Sequence, residues 1–157
     1  MRINKRLLFI CVSIPLIVGT VSALLTKNSM KEFQMVSQPP LSPPAWLFPV
    51  VWTLLYVIMG VSSYLILTAD APSEKIMAAI KVYAYQLLVN FLWPTFFFHF
   101  GWYLFSVLWL FLLCFLVFLM IRRFIDVRKV AGYMNVPYLI WLTFAAYLNI
   151  GVWWLNR

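Results

Sequence analysis

Charged residues are scarce in this sequence, where they make up 10% of 157 residues, against roughly 25% in a typical soluble domain. Hydrophobic residues account for 65%. Several apolar runs approach the roughly 20-residue length that crosses a bilayer core, and they are too many to hide in one small soluble core. The composition therefore excludes an ordinary water-soluble domain and predicts an all-α integral membrane bundle, with the lipid bilayer as a partner.

Acidic residues, histidine and cysteine are too few and too scattered for catalysis by protein groups. The four acidic residues fall in predicted loops or at helix ends, which disfavours a proton relay or an ion-coupled transporter. His99 is predicted in a surface turn, where a solvated side chain is favoured over the alternative, a haem ligand. Cys11 and Cys114 lie in apolar runs and behave as small hydrophobic groups. We expect no metal site, no required cofactor and no catalytic residue of these types.

The apolar runs predict five membrane-spanning helices. Their predicted bounds are about 7–25, 45–68, 76–98, 102–124 and 134–155. The first loop, 26–44, contains Pro39, Pro40, Pro43 and Pro44, which stiffen it directly before the second helix. We interpret this loop as a lid, although helix termination alone also explains the prolines. The whole chain, 1–157, is predicted to form a single transmembrane domain.

Positive charge predicts the orientation, because loops rich in Lys and Arg stay in the cytoplasm. Three basic residues lie on one predicted side, namely Lys27, Lys31 and Arg157. Nine lie on the side that holds the N-terminus, namely Arg2, Lys5, Arg6, Lys75, Lys81, Arg122, Arg123, Arg128 and Lys129. The N-terminus is therefore predicted inside and the C-terminus outside, in what we expect to be a bacterial cell membrane. Because these residues flank apolar runs and form no single basic face, nucleic acid is not an expected partner.

Several tryptophan and asparagine residues lie inside the apolar runs. Trp52, Trp93 and Trp141 lie one to three turns inside their helices, where an indole N–H needs a partner. These tryptophans either line a pocket or belong to an interfacial belt. Asn90 and Asn149 lie within helices three and five, and a buried amide tends to face the bundle interior. Each asparagine either joins helices or holds the polar edge of a ligand.

Three blocks of sequence carry a resemblance to a known family. They are PPAWLFPVVWTLLYVIMGVSSYL at 43–65, QLLVNFLWPTFFF at 86–98 and PYLIWLTFAAYLN at 137–149. In these blocks the sequence closely resembles the TspO/translocator protein family, the tryptophan-rich sensory proteins also called peripheral-type benzodiazepine receptors. The resemblance implies a homodimer of five-helix protomers. It also implies binding of porphyrins and of isoquinoline- or benzodiazepine-like compounds in a cavity capped by the first loop.

The resemblance and the positions discussed above together define a set of candidate ligand-binding residues. They are Trp46, Phe48, Trp52, Tyr56, Asn90, Trp93, Phe97, Trp141, Phe144, Ala145, Leu148 and Asn149. We expect a membrane sensor that binds a porphyrin or related tetrapyrrole and regulates tetrapyrrole or stress metabolism. The alternatives are a tetrapyrrole transporter, and light- and oxygen-dependent porphyrin degradation with Trp52 and Trp141 as redox-active rings.

The sequence departs from the family pattern in the first loop and in the fifth helix. Glu32-Phe33 stands where members commonly have Trp-Tyr, and Leu41 stands where many have tryptophan. We therefore expect the contacts between lid and ligand to differ from those of relatives. The fifth-helix motif that animal members use for cholesterol is absent, so no sterol role is expected.

Overall fold

The computed structural model describes residues 3–157, so Arg2, one of the basic residues used to predict orientation, lies outside the described part. The helices are α1 (Lys5–Phe33), α2 (Leu47–Leu67), α3 (Ser73–Pro94), a π-helical turn (Thr95–His99), α4 (Tyr103–Val127), α5 (Lys129–Tyr133) and α6 (Val136–Leu155). When α3 is joined with the π-helical turn and α5 with α6, the described chain has five helices that are long and apolar enough to cross a membrane. The predicted all-α class with five spans is confirmed, and the protein is an integral membrane protein.

The first helix is longer than predicted, since it covers Lys5–Phe33 and not only 7–25. Its last turns contain polar residues, which end the apolar run but do not break a helix. Residues 20–38 include neither proline nor glycine, the two residue types that most strongly oppose helix formation. The loop predicted at 26–44 is therefore shorter and starts later. We define the lid as residues 34–46, between α1 and α2.

The basic connection predicted as a loop at 125–133 is mostly helical. Helix α4 continues to Val127, and α5 takes up Lys129–Tyr133. Arg128 between them has an extended backbone, with φ −152° and ψ 109°, and this single residue redirects the chain. Lys and Arg are good helix formers, so the end of an apolar run need not be the end of the helix. The other predicted bounds agree with the structure within a few residues.

The third span becomes irregular at Pro94, as expected for a residue that lacks a backbone N–H. The next five residues, Thr95–His99, form a π-helical turn. The first backbone N–H of this turn bonds the carbonyl of Leu92, and the carbonyl of Phe91 instead accepts a hydrogen bond from the Ser22 hydroxyl at 3.0 Å. A neighbouring helix thus satisfies a group that the irregular turn releases.

The interior of the bundle is densely packed in one half, and the other half contains a mostly apolar cavity. The packed half, which we call the closed half, lies where α2 and α4 end and where α3 and α5 begin. Its fully buried side chains include Met59, Ile66, Met120, Phe124 and Tyr138. The opposite half, which we call the lid half, holds the ends of α1, the third span and α6 beneath the lid.

The outer faces of α1 and α4 carry many large apolar side chains. Exposed examples are Phe9, Ile17, Leu24, Leu108, Phe111 and Phe115. A soluble monomer rarely exposes apolar patches of this extent, whereas lipid tails are a suitable environment for them. This surface is consistent with the bilayer as the surroundings of the bundle.

Candidate ligand-binding site

A cavity of about 210 Å³ lies in the lid half, between the lid, the last turns of α1, the end of the third span and α6. Six of the predicted ligand-binding residues line it, namely Phe48, Trp93, Phe97, Ala145, Leu148 and Asn149. They come from three different helices that are distant in sequence. The structure therefore brings half of the predicted set together around one space.

Helical periodicity explains how α6 builds its wall of the cavity. Ala145, Leu148, Asn149 and Val152 are separated by three or four residues, which places them on one face of the helix. Ala145 contributes only a methyl group, and Asn149 contributes the only polar side chain among these four. This wall is apolar and smooth except at one amide.

Aromatic rings form another part of the lining. The rings of Trp93 and Phe97 stack with centroids 5.1 Å apart and an interplanar angle of 15°. The ring of Phe33, at the end of α1, lies 5.1 Å from both Phe97 and Phe98. These flat faces are suited to a planar apolar ligand, because aromatic rings attract one another in offset or edge-to-face contacts.

Asn149 is the most unusual polar group at the cavity. Its side chain is 1% exposed, and within residues 3–157 neither the amide nitrogen nor the amide oxygen has a hydrogen-bond partner. The indole Nε1 of Trp93, which also lines the cavity, is likewise buried and unpartnered among the described residues. Buried polar groups are nearly always satisfied, and an unsatisfied one costs roughly 1–3 kcal/mol. These groups are therefore the candidates for a polar contact with a ligand.

Asn90 has a different role, because protein groups hold its amide. Its Oδ1 accepts a hydrogen bond from the Tyr56 hydroxyl at 2.8 Å, and its Nδ2 donates to the Tyr138 hydroxyl at 2.6 Å. The Tyr138 hydroxyl in turn donates to Oε1 of Gln86 at 3.0 Å. This polar chain joins α2, α3 and α6. Of the two uses open to Asn90 from the sequence, the structure favours joining helices.

The other predicted residues do not line the cavity. The Trp52 ring lies 5.6 Å from that of Tyr56 and 6.2 Å from that of Tyr138, so it covers the polar chain. The Trp141 ring lies between those of Phe48 and Phe144, with centroids at 5.9 and 5.6 Å. Its buried Nε1 has no partner in the described chain.

Trp46 is placed apart from the candidate set. Its side chain is 66% exposed, and the residue precedes the first turn of α2 at the end of the lid. Such an exposed indole at a helix end fits the interfacial belt better than a pocket wall. The structure gives Trp46 no position in the cavity lining.

Hydrogen bonds fasten the lid to α6. The Tyr147 hydroxyl donates to the carbonyl of Pro40 at 2.8 Å. The side-chain Nδ2 of Asn156 donates to the backbone carbonyl of Ser37 at 2.8 Å, and its Oδ1 accepts from the backbone N–H of Ser37 at 3.2 Å. Three hydrogen bonds, all at exposed sites, thus hold the lid against the helix that carries Asn149.

Close backbone approach also holds the lid. Pro39 is buried against Gly151, where an added Cβ would come within 2.5 Å of the proline Cβ. Leu41, two residues later, adopts φ +66°, a left-handed conformation that is uncommon outside glycine. A tight contact at one point and a strained backbone at another thus define the path of the lid.

Sequence reasoning missed several residues of the lining. Val152 follows from the spacing of Ala145 and Asn149, so helical periodicity would have found it. Lys31 and Phe33 were missed because the first helix was predicted to end at residue 25. The lid residues carry no periodic signal, since their positions depend on the loop path.

Comparison with known proteins agrees with this architecture. The model of the TspO/MBR family matches residues 11–155. The chain belongs to this family. A tryptophan-rich protein TspO from Chlorobaculum tepidum is 32% identical over 98% of this chain and 99% of its own length. Protein CrtK from Rhodobacter capsulatus is 36% identical over 79% of this chain and 78% of its own.

A eukaryotic relative shows how widely the TspO/MBR pattern extends. The translocator protein of Homo sapiens is 33% identical over 80% of this chain and 75% of its own length. The resemblance seen in the three sequence blocks is thereby confirmed. Membership of the TspO/MBR family supports a role of the sensor or receptor kind in a membrane.

Proposed function

We propose that this protein is a membrane sensor that binds a flat, apolar tetrapyrrole, such as a porphyrin, in the cavity of the lid half and so regulates tetrapyrrole or stress metabolism. The observation that carries the proposal is the Asn149 amide, which is buried in a mostly apolar cavity and which the described chain leaves without a partner. An apolar pocket with a few polar groups is the usual form of a small-molecule site.

The walls suit a planar ligand. One face of a macrocycle would stack on Trp93 and Phe97, and the small side chain of Ala145 leaves room at the other face. The amide of Asn149 both donates and accepts, so it pairs with either kind of polar group on the ligand. Isoquinoline- or benzodiazepine-like compounds offer the same combination of flat rings and one polar group.

A macrocycle requires the lid to move outward. The cavity of about 210 Å³ is smaller than the roughly 300–1,000 Å³ of typical ligand pockets. The helical walls are held by the packed bundle, whereas the lid is held by exposed hydrogen bonds from Tyr147 and Asn156 and by the contact of Pro39 with Gly151. The lid is therefore the wall that yields, and its displacement gives a sensor a conformational signal.

Two features favour binding over the alternatives. Fully buried side chains such as Met59, Met120 and Tyr138 fill the interior beneath the cavity, which disfavours passage of a ligand through the bundle. Trp52 and Trp141, the rings considered for porphyrin degradation, do not line the cavity. We therefore propose a sensor in preference to a transporter or an enzyme.

Fluorescence titration tests the proposal. Protoporphyrin added to the purified protein in neutral detergent should quench tryptophan emission saturably. Ala145→Leu fills the cavity and should weaken binding about tenfold or more, because overpacking costs roughly 1–3 kcal/mol. Ala84→Leu, which adds the same atoms at an exposed position of α3, is the matched control and should bind normally. Equal affinity in the wild type and Ala145→Leu would contradict binding in this cavity.

We further infer that the lid faces the outside of the cell, since the side with nine basic residues stays in the cytoplasm. Met35→Cys in the lid and Ser73→Cys at the start of α3 test this at exposed positions of opposite halves. A membrane-impermeant maleimide should modify the first in intact cells and the second only after permeabilisation. The reverse pattern would overturn the orientation.

The homodimer that the family resemblance implies stays a prediction.

A further inference from the structure

We propose that the cavity selects ligands that carry a carboxylate, which Lys31 binds at the rim while the apolar body of the ligand occupies the interior. This inference rests on the proposed function and deepens it by naming the chemical class of the ligand. It concerns the mouth of the cavity and is independent of the contact with Asn149.

The position of Lys31 carries the inference. Lys31 lies in the last turn of α1, three residues before the lid. Among the described residues that line the cavity, Lys31 alone carries a charge. Its side chain is exposed, so the methylene stem can follow the apolar wall while the ammonium stays at the mouth.

Neutral donors accompany the ammonium. Gln34 and Gln38, both lid residues, line the same cavity and offer amide N–H groups. An ammonium and amide donors on one lining match the acceptor-only oxygens of a carboxylate, and hydrogen bonds with ionised partners are stronger than neutral ones. The only acidic residue beside Lys31 in the sequence, Glu32, is exposed and is not part of the lining.

The two ends of the cavity therefore select different features of one molecule. The rings of Trp93, Phe97 and Phe98 and the methyl group of Ala145 accept a flat apolar body. The rim at Lys31 accepts a negative charge that remains partly in water. A ligand with both features makes favourable contacts at both ends, whereas a neutral ligand of the same shape makes them only at the apolar end.

A comparison of protoporphyrin with its dimethyl ester tests the inference, because the two share the macrocycle and differ in the carboxylates. In neutral detergent the wild type should bind the diacid about three- to fivefold more tightly, as expected for a partly exposed ion pair. Lys31→Gln should reduce the affinity for the diacid to that for the ester, and Lys31→Arg should retain the preference. High ionic strength should weaken the preference.

Lys27→Gln is the matched control, since Lys27 is an exposed lysine one turn earlier in α1 that does not line the cavity. It should keep the preference for the diacid. Equal binding of diacid and ester by the wild type would overturn the inference and leave the proposed function intact. An equal loss for both ligands in Lys31→Gln would also overturn it, because that result indicates a structural role.

The remaining outcomes separate two further possibilities. If neither porphyrin binds the wild type, the proposed function and the inference fall together. The headgroup of an anionic lipid offers the same kind of charge, so the titration is repeated in nanodiscs that contain phosphatidylglycerol. Retention of the preference supports a ligand carboxylate at Lys31, whereas its complete loss would assign the rim to lipid and overturn the inference.

Discussion

The polar chain around Asn90 and the cavity beneath the lid use the same residue type in opposite ways. In the polar chain, Asn90 is held by the hydroxyls of Tyr56 and Tyr138, and the amide has a protein partner at each end. At the cavity, Asn149 is as deeply buried, but none of residues 3–157 pairs with its amide. A satisfied amide joins helices, and an unsatisfied one remains available to a ligand.

The largest expected effect is on stability, from Asn90→Leu. The substitution keeps the approximate shape but leaves the buried Tyr56 hydroxyl without its partner and the Tyr138 hydroxyl with Gln86 alone. We expect a loss of about 2 kcal/mol in the free energy of unfolding, within the range for orphaned buried groups. Thermal unfolding in detergent measures it. If Asn90→Leu unfolds like the wild type, the polar chain does not stabilise the bundle.

Asn149→Leu should give the opposite pattern. Removal of an amide that lacks a partner in the described chain should leave stability unchanged or slightly higher. Affinity for protoporphyrin should fall about tenfold, as expected when a ligand loses a buried hydrogen bond. The same unfolding assay and fluorescence titration compare it with Asn90→Leu. A destabilised Asn149→Leu with normal affinity would erase the contrast between the two asparagines.

Substitution of two tryptophans should give a smaller contrast in ligand affinity. Trp93→Leu removes a ring that lines the cavity and should weaken binding about fivefold, the scale of one lost aromatic contact. Trp52→Leu removes a ring that covers the polar chain, so its affinity should change less than Trp93→Leu does. Absorbance titration is suitable, since both variants alter the fluorescence. A larger effect at Trp52 would shift the site towards α2.

The smallest effect is expected at the lid. Tyr147→Phe removes one exposed hydrogen bond to Pro40 and should roughly double the rates of ligand entry and release, since such a bond contributes about 0.5 kcal/mol. Stopped-flow fluorescence measures both rates. Tyr133→Phe, at an exposed ring in the opposite half, should not change them. Unchanged rates in Tyr147→Phe would show that this bond does not restrain the lid.

The sequence predicts the number and type of helices well because both follow from apolar length. It predicts helix ends less well. The last turns of α1 are polar yet helical. Lys31 and Phe33, predicted to lie in a loop, therefore belong to this helix and line the cavity. Backbone propensity and membrane burial are separate determinants, and hydropathy reports only the second.

In the candidate site, the shared helix face was predictable from the sequence, and the roles of the two asparagines were not. Ala145, Leu148 and Asn149 share a helix face by periodicity, so their convergence was predictable. The different roles of Asn90 and Asn149 were not, because they depend on hydroxyls that other helices supply. Tyr138 lies 48 residues from Asn90, and only the fold brings the two side chains together.

A structure with protoporphyrin bound tests the central claim most directly. We expect the macrocycle between the Trp93–Phe97 wall and Ala145, with the lid displaced outward and the Asn149 amide within hydrogen-bonding distance of the ligand. The polar chain through Asn90 should keep its present contacts. A porphyrin bound on the outer apolar face of α1 or α4, or one that contacts Asn90 and not Asn149, would contradict the claim.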